Sequence, residues 1–259
     1  MTVEALRTAA SPWLPFGLPD GDTRLYCLPH AGGSASMFLP WSRGIDGVSV
    51  RPVEPPGRGT RFGHSPYTRI GPLVADLAQT ILEQEWEEEG RYAVYGHSLG
   101  ALVGFELLRE LRRLGAPAPV HLFVSGCLAP DDPAQEEEPP IAALSDAQVA
   151  DVLRRIGGTP ERLLRDRTAM RLILPPFRAD FQVKQSYACR PDLPLDVPVT
   201  AIAASADLRV GAAAMSGWER HTTDRFELLT LAGGHFAVLE QAEATQRIIR
   251  RALAAAPVG

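Results

Sequence analysis

Short apolar runs of strand length alternate along this chain with longer stretches whose apolar positions recur at helical spacing. The runs at 23–28, 48–53, 92–95, 120–125, 198–204 and 225–231 are rich in Val, Leu, Ile, Tyr and Phe, and Gly, Pro or polar loops bound them. Between them, 70–86 carries Ile70, Leu73, Val74, Leu77, Ile81 and Leu82 as one apolar stripe, and 99–114 carries Leu102, Phe105, Leu108 and Leu111. A last helical stretch covers 238–254. The nearly unbroken apolar character of 120–125 suits a parallel strand covered on both faces. Strands alternating with helices predict an α/β architecture around a mainly parallel sheet.

The pattern changes after Ala129. Residues 130–140 are polar and rich in proline. Ser145 then reads as the N-cap of a helix over 145–156 that stops at Gly157-Gly158. Pro160 opens another helical stretch in its first turn, and helical segments continue to about Tyr187. No strand pattern interrupts this block. It predicts a helical insertion at about 129–190 within a single 1–259 domain. The first 22 residues read as an irregular arm, with Trp13 and Phe16 as the side chains able to pin it.

Composition narrows the classes. The chain has 259 residues, 45% of them hydrophobic and 22% charged, which is ordinary for a globular protein with a sizeable core. A net charge of -5 without a basic tract argues against nucleic acid as a partner. No long apolar span or secretory leader is visible, so no membrane association and a cytoplasmic location are expected. The three cysteines are scattered and form no C-x-x-C pair, which fits free thiols, with Cys27 and Cys127 as core residues. The acidic run 83–89 reads as a solvated helix end, not as a metal site.

The chemistry centres on Gly96-His97-Ser98-Leu99-Gly100, which ends one apolar run and opens a helix. Strand, Gly-x-Ser-x-Gly turn and helix in succession are the context of a nucleophile elbow, a strained turn that lifts a serine hydroxyl out of a sheet. The alternative is an ordinary Gly-rich strand-to-helix turn. An alcohol is a poor nucleophile at neutral pH and needs a base, itself oriented by an acid. Of the six histidines, His235 alone follows a late strand in a Gly-rich loop. His97 lies inside the elbow, aimed away from Ser98, while His30 and His64 sit in loops beside the presumed site. Asp207 follows the strand that resumes after the insertion, whereas Asp196 precedes that strand and Asp180 and Asp192 belong to the insertion. Ser98, Asp207 and His235 are therefore the expected catalytic residues, in the order found in α/β-hydrolases, and Asp180 and Asp192 are expected to be dispensable. Two N–H donors must face the oxyanion. Leu99, after the nucleophile, and Ala31, in His30-Ala31-Gly32-Gly33, are the expected pair.

These segments together resemble the stand-alone type II thioesterases of polyketide and nonribosomal peptide synthesis. The similarity spans nearly the whole chain: Pro29-His30-Ala31-Gly32-Gly33-Ser34-Ala35, Pro56-Gly57-Arg58 with Arg61, Gly96 to Ala101, Leu174-Pro175-Pro176-Phe177-Arg178-Ala179-Asp180, and Gly233-Gly234-His235-Phe236. Three positions depart from the family pattern: Ala204 replaces the usual glycine before the acid, Phe177 a usual leucine, and Lys184-Gln185 a usual acidic position. The resemblance implies an α/β-hydrolase fold whose insertion is a lid over an acyl chamber. It implies hydrolysis of acyl groups from the phosphopantetheine arm of acyl or peptidyl carrier proteins, by a monomer with no bound cofactor or metal, the phosphopantetheine arriving with the substrate. Arg58, Arg61 and Arg178 are then candidates for a basic rim facing an acidic carrier, with His30, Phe177 and Phe236 as further substrate contacts; ordinary solvated arginines are the alternative. A carboxylesterase or lipase, a chain-releasing cyclase or acyltransferase, and a silent binding module remain the competing readings.

Overall fold

The computed structural model describes residues 11–16, 21–85, 90–133 and 140–255. Six strands form one all-parallel sheet: β1 (Thr23–Leu28), β2 (Val48–Pro52), β3 (Arg91–His97), β4 (His121–Ser125), β5 (Val199–Ala204) and β6 (Phe226–Leu231). Their order is β2-β1-β3-β4-β5-β6. All six predicted strands are present, each within a few residues of its expected ends.

The sheet is covered on both faces, and strand side chains divide between them with period two. Tyr26, Leu28, Tyr92, Val94, Leu122, Val124, Ala201 and Ala203 join one core with helices α1 (Ile70–Thr80) and α2 (Leu99–Arg113). Leu25, Cys27, Ala93, Tyr95, Phe123 and Ile202 join the other, with Phe38 and Trp41 of a 3-10 helix (Ala35–Arg43) and Ile249 and Leu253 of the last helix. Every residue of β4 and β5 is buried, while the edge strand β6 is only partly covered. This is why β4 reads as continuously apolar. The stripe at 70–86 forms α1 followed by a π turn (Ile81–Glu85); its predicted end at Trp86 lies outside the described residues.

Between β4 and β5 come α3 (Asp146–Ile156), α4 (Glu161–Arg165) and α5 (Arg167–Gln185). Ser145 caps α3 as expected, closing a reciprocal box with Gln148. These helices share a third core, with Ile141, Val149, Leu153, Leu164, Leu174, Phe177 and Phe181 buried together. A 3-10 helix (Ala212–His221) connects β5 to β6, and the short α6 (Ala237–Glu240) and α7 (Ala242–Ala254) follow β6. In the N-terminal arm, Trp13 is buried: its carbonyl accepts the Glu54 N–H, and the Arg61 guanidinium lies over its ring at 4.1 Å.

One buried group makes the fold sensitive to acid. His121, at the start of β4, shares a 2.8 Å hydrogen bond between its Nε2 and Thr200 Oγ1. Burial, with Arg225 nearby, pushes its pKa down from 6.5 to about 4. The unfolded chain therefore takes up a proton near pH 6.5 that the folded protein refuses until about pH 4, and stability is lost as pH falls through that window. Replacing His121→Gln is expected to shrink the stability difference between pH 7.5 and pH 5 by about 2 kcal/mol. Urea denaturation of both proteins at the two pH values measures it; equal pH dependence would show that His121 does not carry the effect.

Candidate active site

The strand order places the site. The chain starts at β1, steps out to β2, then crosses back to β3, so the connections run in opposite directions from β1 and β3. In open α/β sheets such a switch point opens a crevice at the carboxyl ends of the strands. Leu28, at the end of β1, is paired in register with Gly96, near the end of β3. The 29–34 loop and the elbow therefore leave the sheet side by side.

Ser98 sits between β3 and α2 at φ 54, ψ -118, and is the sole non-glycine residue with positive φ among the described residues. Its own N–H donates to Ser125 O at 2.8 Å, anchoring the turn to β4. Such a backbone is strained for any side chain and persists only where its surroundings enforce it. The surroundings here are close: a Cβ on Gly96 would lie 2.2 Å from Gly100 O, and one on Gly100 would lie 2.2 Å from Leu28 O. Both glycines are thus required by sterics, and the turn holds Ser98 in the strained conformation expected of an elbow. Leu99 opens α2, so its N–H belongs to the first turn, where amides have no intrahelical acceptor.

Asp207 and His235 follow the adjacent strands β5 and β6. Two backbone hydrogen bonds lace the loops together, Ser205 N–H to Leu231 O at 2.9 Å and Ala206 N–H to Gly233 O at 2.8 Å. Asp207 Oδ2 stands 2.7 Å from His235 Nδ1, with both residues buried. Asp207 Oδ1 accepts the N–H groups of Arg209 and Val210 at 2.9 and 3.3 Å. Burial alone would raise the Asp207 pKa, but His235 and the two backbone donors outweigh it and hold the carboxyl below its usual value. A carboxylate can only accept, so His235 carries its proton on Nδ1 and leaves Nε2 as a base. Ala204 does not disturb this turn: Asp207 N–H donates to Ala204 O at 3.3 Å, and Ala204 needs no positive φ.

Around His235 the packing is aromatic. Phe236 stands edge-on to His30, His235 and His97, with ring centroids 4.8, 5.2 and 5.6 Å apart. Gly126, at φ 57 after β4, lets His97 and His235 approach, since a Cβ there would lie 2.8 and 3.0 Å from their Cε1 atoms. His97 is fully buried, its Nδ1 2.9 Å from Ser125 Oγ. Burial, then the neighbouring His235, push His30 down to about 3 and His97 well below its ordinary value. Both rings are therefore neutral beside the base. His64 is exposed, and His221 pairs with Asp131 on the surface.

The arginines differ most from expectation. Arg58 and Arg61 do not form a basic rim. Arg58 is buried, and its Nη2 lies 2.6 Å from Asp180 Oδ2 and 3.3 Å from Pro176 O. Arg61 is buried against Trp13, with its Nη1 donating to Glu54 O at 3.2 Å. Arg178 is spent inside the insertion, donating to Ile141 O at 2.8 Å and to Asp146 at 2.7 Å. Phe177 lies in the core of the insertion, and its ring would be 3.2 Å from a Cβ on Gly32. Ala31, in the loop after β1, packs against the same core.

Asp180 also departs from expectation. Its Oδ2 accepts the Gly32 N–H at 2.7 Å, so a residue of the insertion touches the loop that carries Ala31. Burial raises the Asp180 pKa from its usual value, against the pull of Arg58 and of that N–H. Asp192, in contrast, is a surface partner of Arg109 and Arg112. A cavity of about 500 Å³ opens between the insertion and the loop after β5, lined by Ile141, Leu144, Val152, Ile156, Phe181 and the exposed Leu208 among others. No helix of the described residues is long and apolar enough to cross a membrane.

A parallel sheet with a serine elbow at its switch point, and an Asp–His pair at the ends of its last two strands, defines the α/β-hydrolase class. Comparison with known proteins narrows this. The family model for the thioesterase domain matches residues 23–253, and the chain belongs to that family. It is 37% identical over 218 residues to the gramicidin S biosynthesis protein GrsT of Aneurinibacillus migulanus, covering 84% of this chain and 83% of GrsT. It is 37% identical over 229 residues to the thioesterase PikA5 of Streptomyces venezuelae, covering 86% and 78% of the two chains. The structure of the type II thioesterase BorB from the borrelidin biosynthetic cluster superposes with a TM-score of 0.83 at 32% identity, over 95% of this chain and 99% of BorB.

Proposed function

We propose that this chain is an editing thioesterase that hydrolyses acyl groups from the phosphopantetheine arm of acyl or peptidyl carrier proteins. The observation that carries the chemistry is the buried 2.7 Å Asp207–His235 hydrogen bond, set at the same carboxyl end of the parallel sheet as the strained Ser98. The biosynthetic setting rests on the relatives, whose names refer to gramicidin S biosynthesis and to the borrelidin biosynthetic cluster. A cytoplasmic location follows from the same reading, since carrier-bound intermediates are built there.

His235 Nε2 takes the proton of Ser98 Oγ as the oxygen attacks the thioester carbonyl. The negative oxygen that forms is met by the N–H groups of Leu99 and Ala31. Collapse of this intermediate breaks the C–S bond, and the departing sulfur takes the proton from His235, so the free thiol leaves and the imidazole is neutral again for the next step. A free thiol has a pKa of about 8.5, so little acid assistance is needed at this step. Water then attacks acyl-Ser98, giving its proton to His235, which returns it to Ser98 Oγ as the free acid departs. Asp207 holds the imidazole in the tautomer that leaves Nε2 open and stabilises its charged form. The apolar cavity beside Leu208 has the volume and lining to take an acyl chain. The phosphopantetheine belongs to the substrate, and the residues named need no further group.

The test is turnover of one acyl group offered as a thioester of free pantetheine, as the matched oxygen ester, and on a carrier protein. Thioester hydrolysis that is faster than oxygen-ester hydrolysis, and faster again on the carrier, is the expected result. A preference for the oxygen ester would favour a carboxylesterase, and equal rates on carrier and free pantetheine would remove the carrier as the partner.

A further inference from the structure

Three segments that are distant in sequence meet in one buried charged cluster beneath the oxyanion loop. Asp180 comes from α5, Arg58 from the loop after β2, and Gly32 from the loop after β1. A single carboxylate oxygen, Asp180 Oδ2, accepts from both Arg58 Nη2 at 2.6 Å and the Gly32 N–H at 2.7 Å. Arg58 reaches α5 a second time at Pro176 O. Both charged side chains are 6% exposed, so neither pairing is screened by water.

The backbone around the cluster is shaped for it. Gly57 and Gly59 flank Arg58 at φ 87 and φ 47, which turns the chain tightly enough to bury a guanidinium. Gly32 is itself at φ 78, and Phe177 covers it from α5. On its far side the same loop is held by a second buried carboxylate, since Glu54 accepts the Ala35 N–H at 3.3 Å. The segment containing Ala31 is therefore clamped between two acidic side chains, Glu54 on the sheet side and Asp180 on the insertion. Only Asp180 can move with the insertion.

We propose that Asp180 is a positioning residue that couples the seating of the lid helix α5 to the oxyanion loop. With α5 docked, Asp180 and Arg58 fix Gly32 and hence the direction of the neighbouring Ala31 N–H. With α5 displaced, the loop loses that anchor and the second oxyanion donor loses its aim. The inference rests on the hydrolase reading above for the role of Ala31, and its consequence is that chemistry is switched on only beneath a closed lid. Misplacing a catalytic donor by about 1 Å costs on the order of 100-fold in rate.

The test uses the full-length protein. Asp180→Ala is expected to lower kcat on an acyl-pantetheine thioester by about 100-fold with KM changed less than about threefold, and to weaken inhibition by an alkyl boronic acid, which forms a tetrahedral serine adduct, by a similar factor. Asp180→Asn keeps the shape but not the charge, and should fall between, at about 10-fold. If Asp180→Ala does not fold, Asp180→Asn carries the test: wild-type kcat and wild-type boronate binding in that variant overturn the proposal. A loss confined to KM or to thermal stability also overturns it, because it would mark Asp180 as a structural residue only. Coupling to the lid is read by adding Leu153→Ala, which loosens the insertion's own core. The kcat loss it causes in the wild-type background should shrink in Asp180→Asn and disappear in Asp180→Ala; equal losses in the wild-type and Asp180→Asn backgrounds, or none in either, remove the coupling. If the wild-type protein cleaves only oxygen esters, the thioesterase reading falls, while the same ratios measured on the oxygen ester still decide the role of Asp180.

Discussion

Ser98→Ala and His235→Ala are each expected to reduce kcat for an acyl-pantetheine thioester by between about 1,000- and 1,000,000-fold. Release of free thiol, followed with a chromogenic disulfide, measures it. The two residues act as one unit, so the double variant should be scarcely slower than either single one. Their effects on stability should differ. Removing the Ser98 hydroxyl leaves no buried charge behind. Removing the His235 ring strips Asp207 Oδ2 of the imidazole N–H inside a buried pocket, which costs about 1–3 kcal/mol. A fluorophosphonate should label the wild-type protein at Ser98, label His235→Ala slowly, and leave Ser98→Ala unmodified. Retention of most activity by either variant would reject the triad.

Asp207→Asn is expected to cost about 10,000-fold in kcat while leaving the fold intact. The physical reason lies in hydrogen-bond direction. Asp207 Oδ1 accepts two backbone N–H groups, which fixes the orientation of the carboxylate and points Oδ2 at His235 Nδ1. An amide in that place can present its NH2 to Nδ1, and the imidazole then carries its proton on Nε2, where it cannot act as a base toward Ser98. Asp192→Asn is the contrasting control, because its carboxylate is bound to Arg109, Arg112 and the Leu193 N–H outside the site. Parallel kinetics and thermal melts of the two variants measure the difference; comparable turnover by both would move the acid elsewhere.

Much of this is legible in the chain alone. The strands are readable because β3, β4 and β5 are buried on both faces and so read as continuous apolar runs. Gly96, Ser98 and Gly100 are close in sequence and share one turn, so their spacing is readable, although Leu28 and Ser125 help to enforce the turn. His235 and Asp207 are readable because each follows its strand by a few residues, and β5 and β6 are neighbours in the sheet. The same spacing rules miss Asp180. The segment Leu174 to Asp180 carries the family resemblance, but no spacing ties Asp180 to the site, because its partners Gly32 and Arg58 are 148 and 122 positions away. They also misplace Arg58 and Arg61, since an arginine in a polar loop looks solvated until its partners are known. Ala204 looks like a weak point beside the acid, yet its turn needs no left-handed backbone, so glycine is not required there.

The insertion shows the same division. Capping and periodicity predict its helices, and Ser145 forms the expected box with Gln148. What periodicity does not say is which way the helices face. Phe177, Phe181 and Leu174 form a core with α3, while Asp180, on the same helix, turns toward the sheet.

Three features are legible in the sequence: the alternation of strands and helices, the elbow at Ser98, and the order in which acid and base follow it. The first two show in apolar periodicity and in the Gly-x-Ser-x-Gly spacing, where sterics act over a few neighbouring residues, and the third in the order of the chain. Three others come from tertiary packing. Asp207 rather than Asp180 or Asp192 meets His235, Arg58 and Arg61 are buried and bonded, and the insertion reaches the loop after β1 through Asp180. Those outcomes depend on strand order: β5 and β6 are neighbours, which brings Asp207 to His235, and the loops after β1, β2 and β3 leave the same carboxyl end of the sheet, where charged partners replace water.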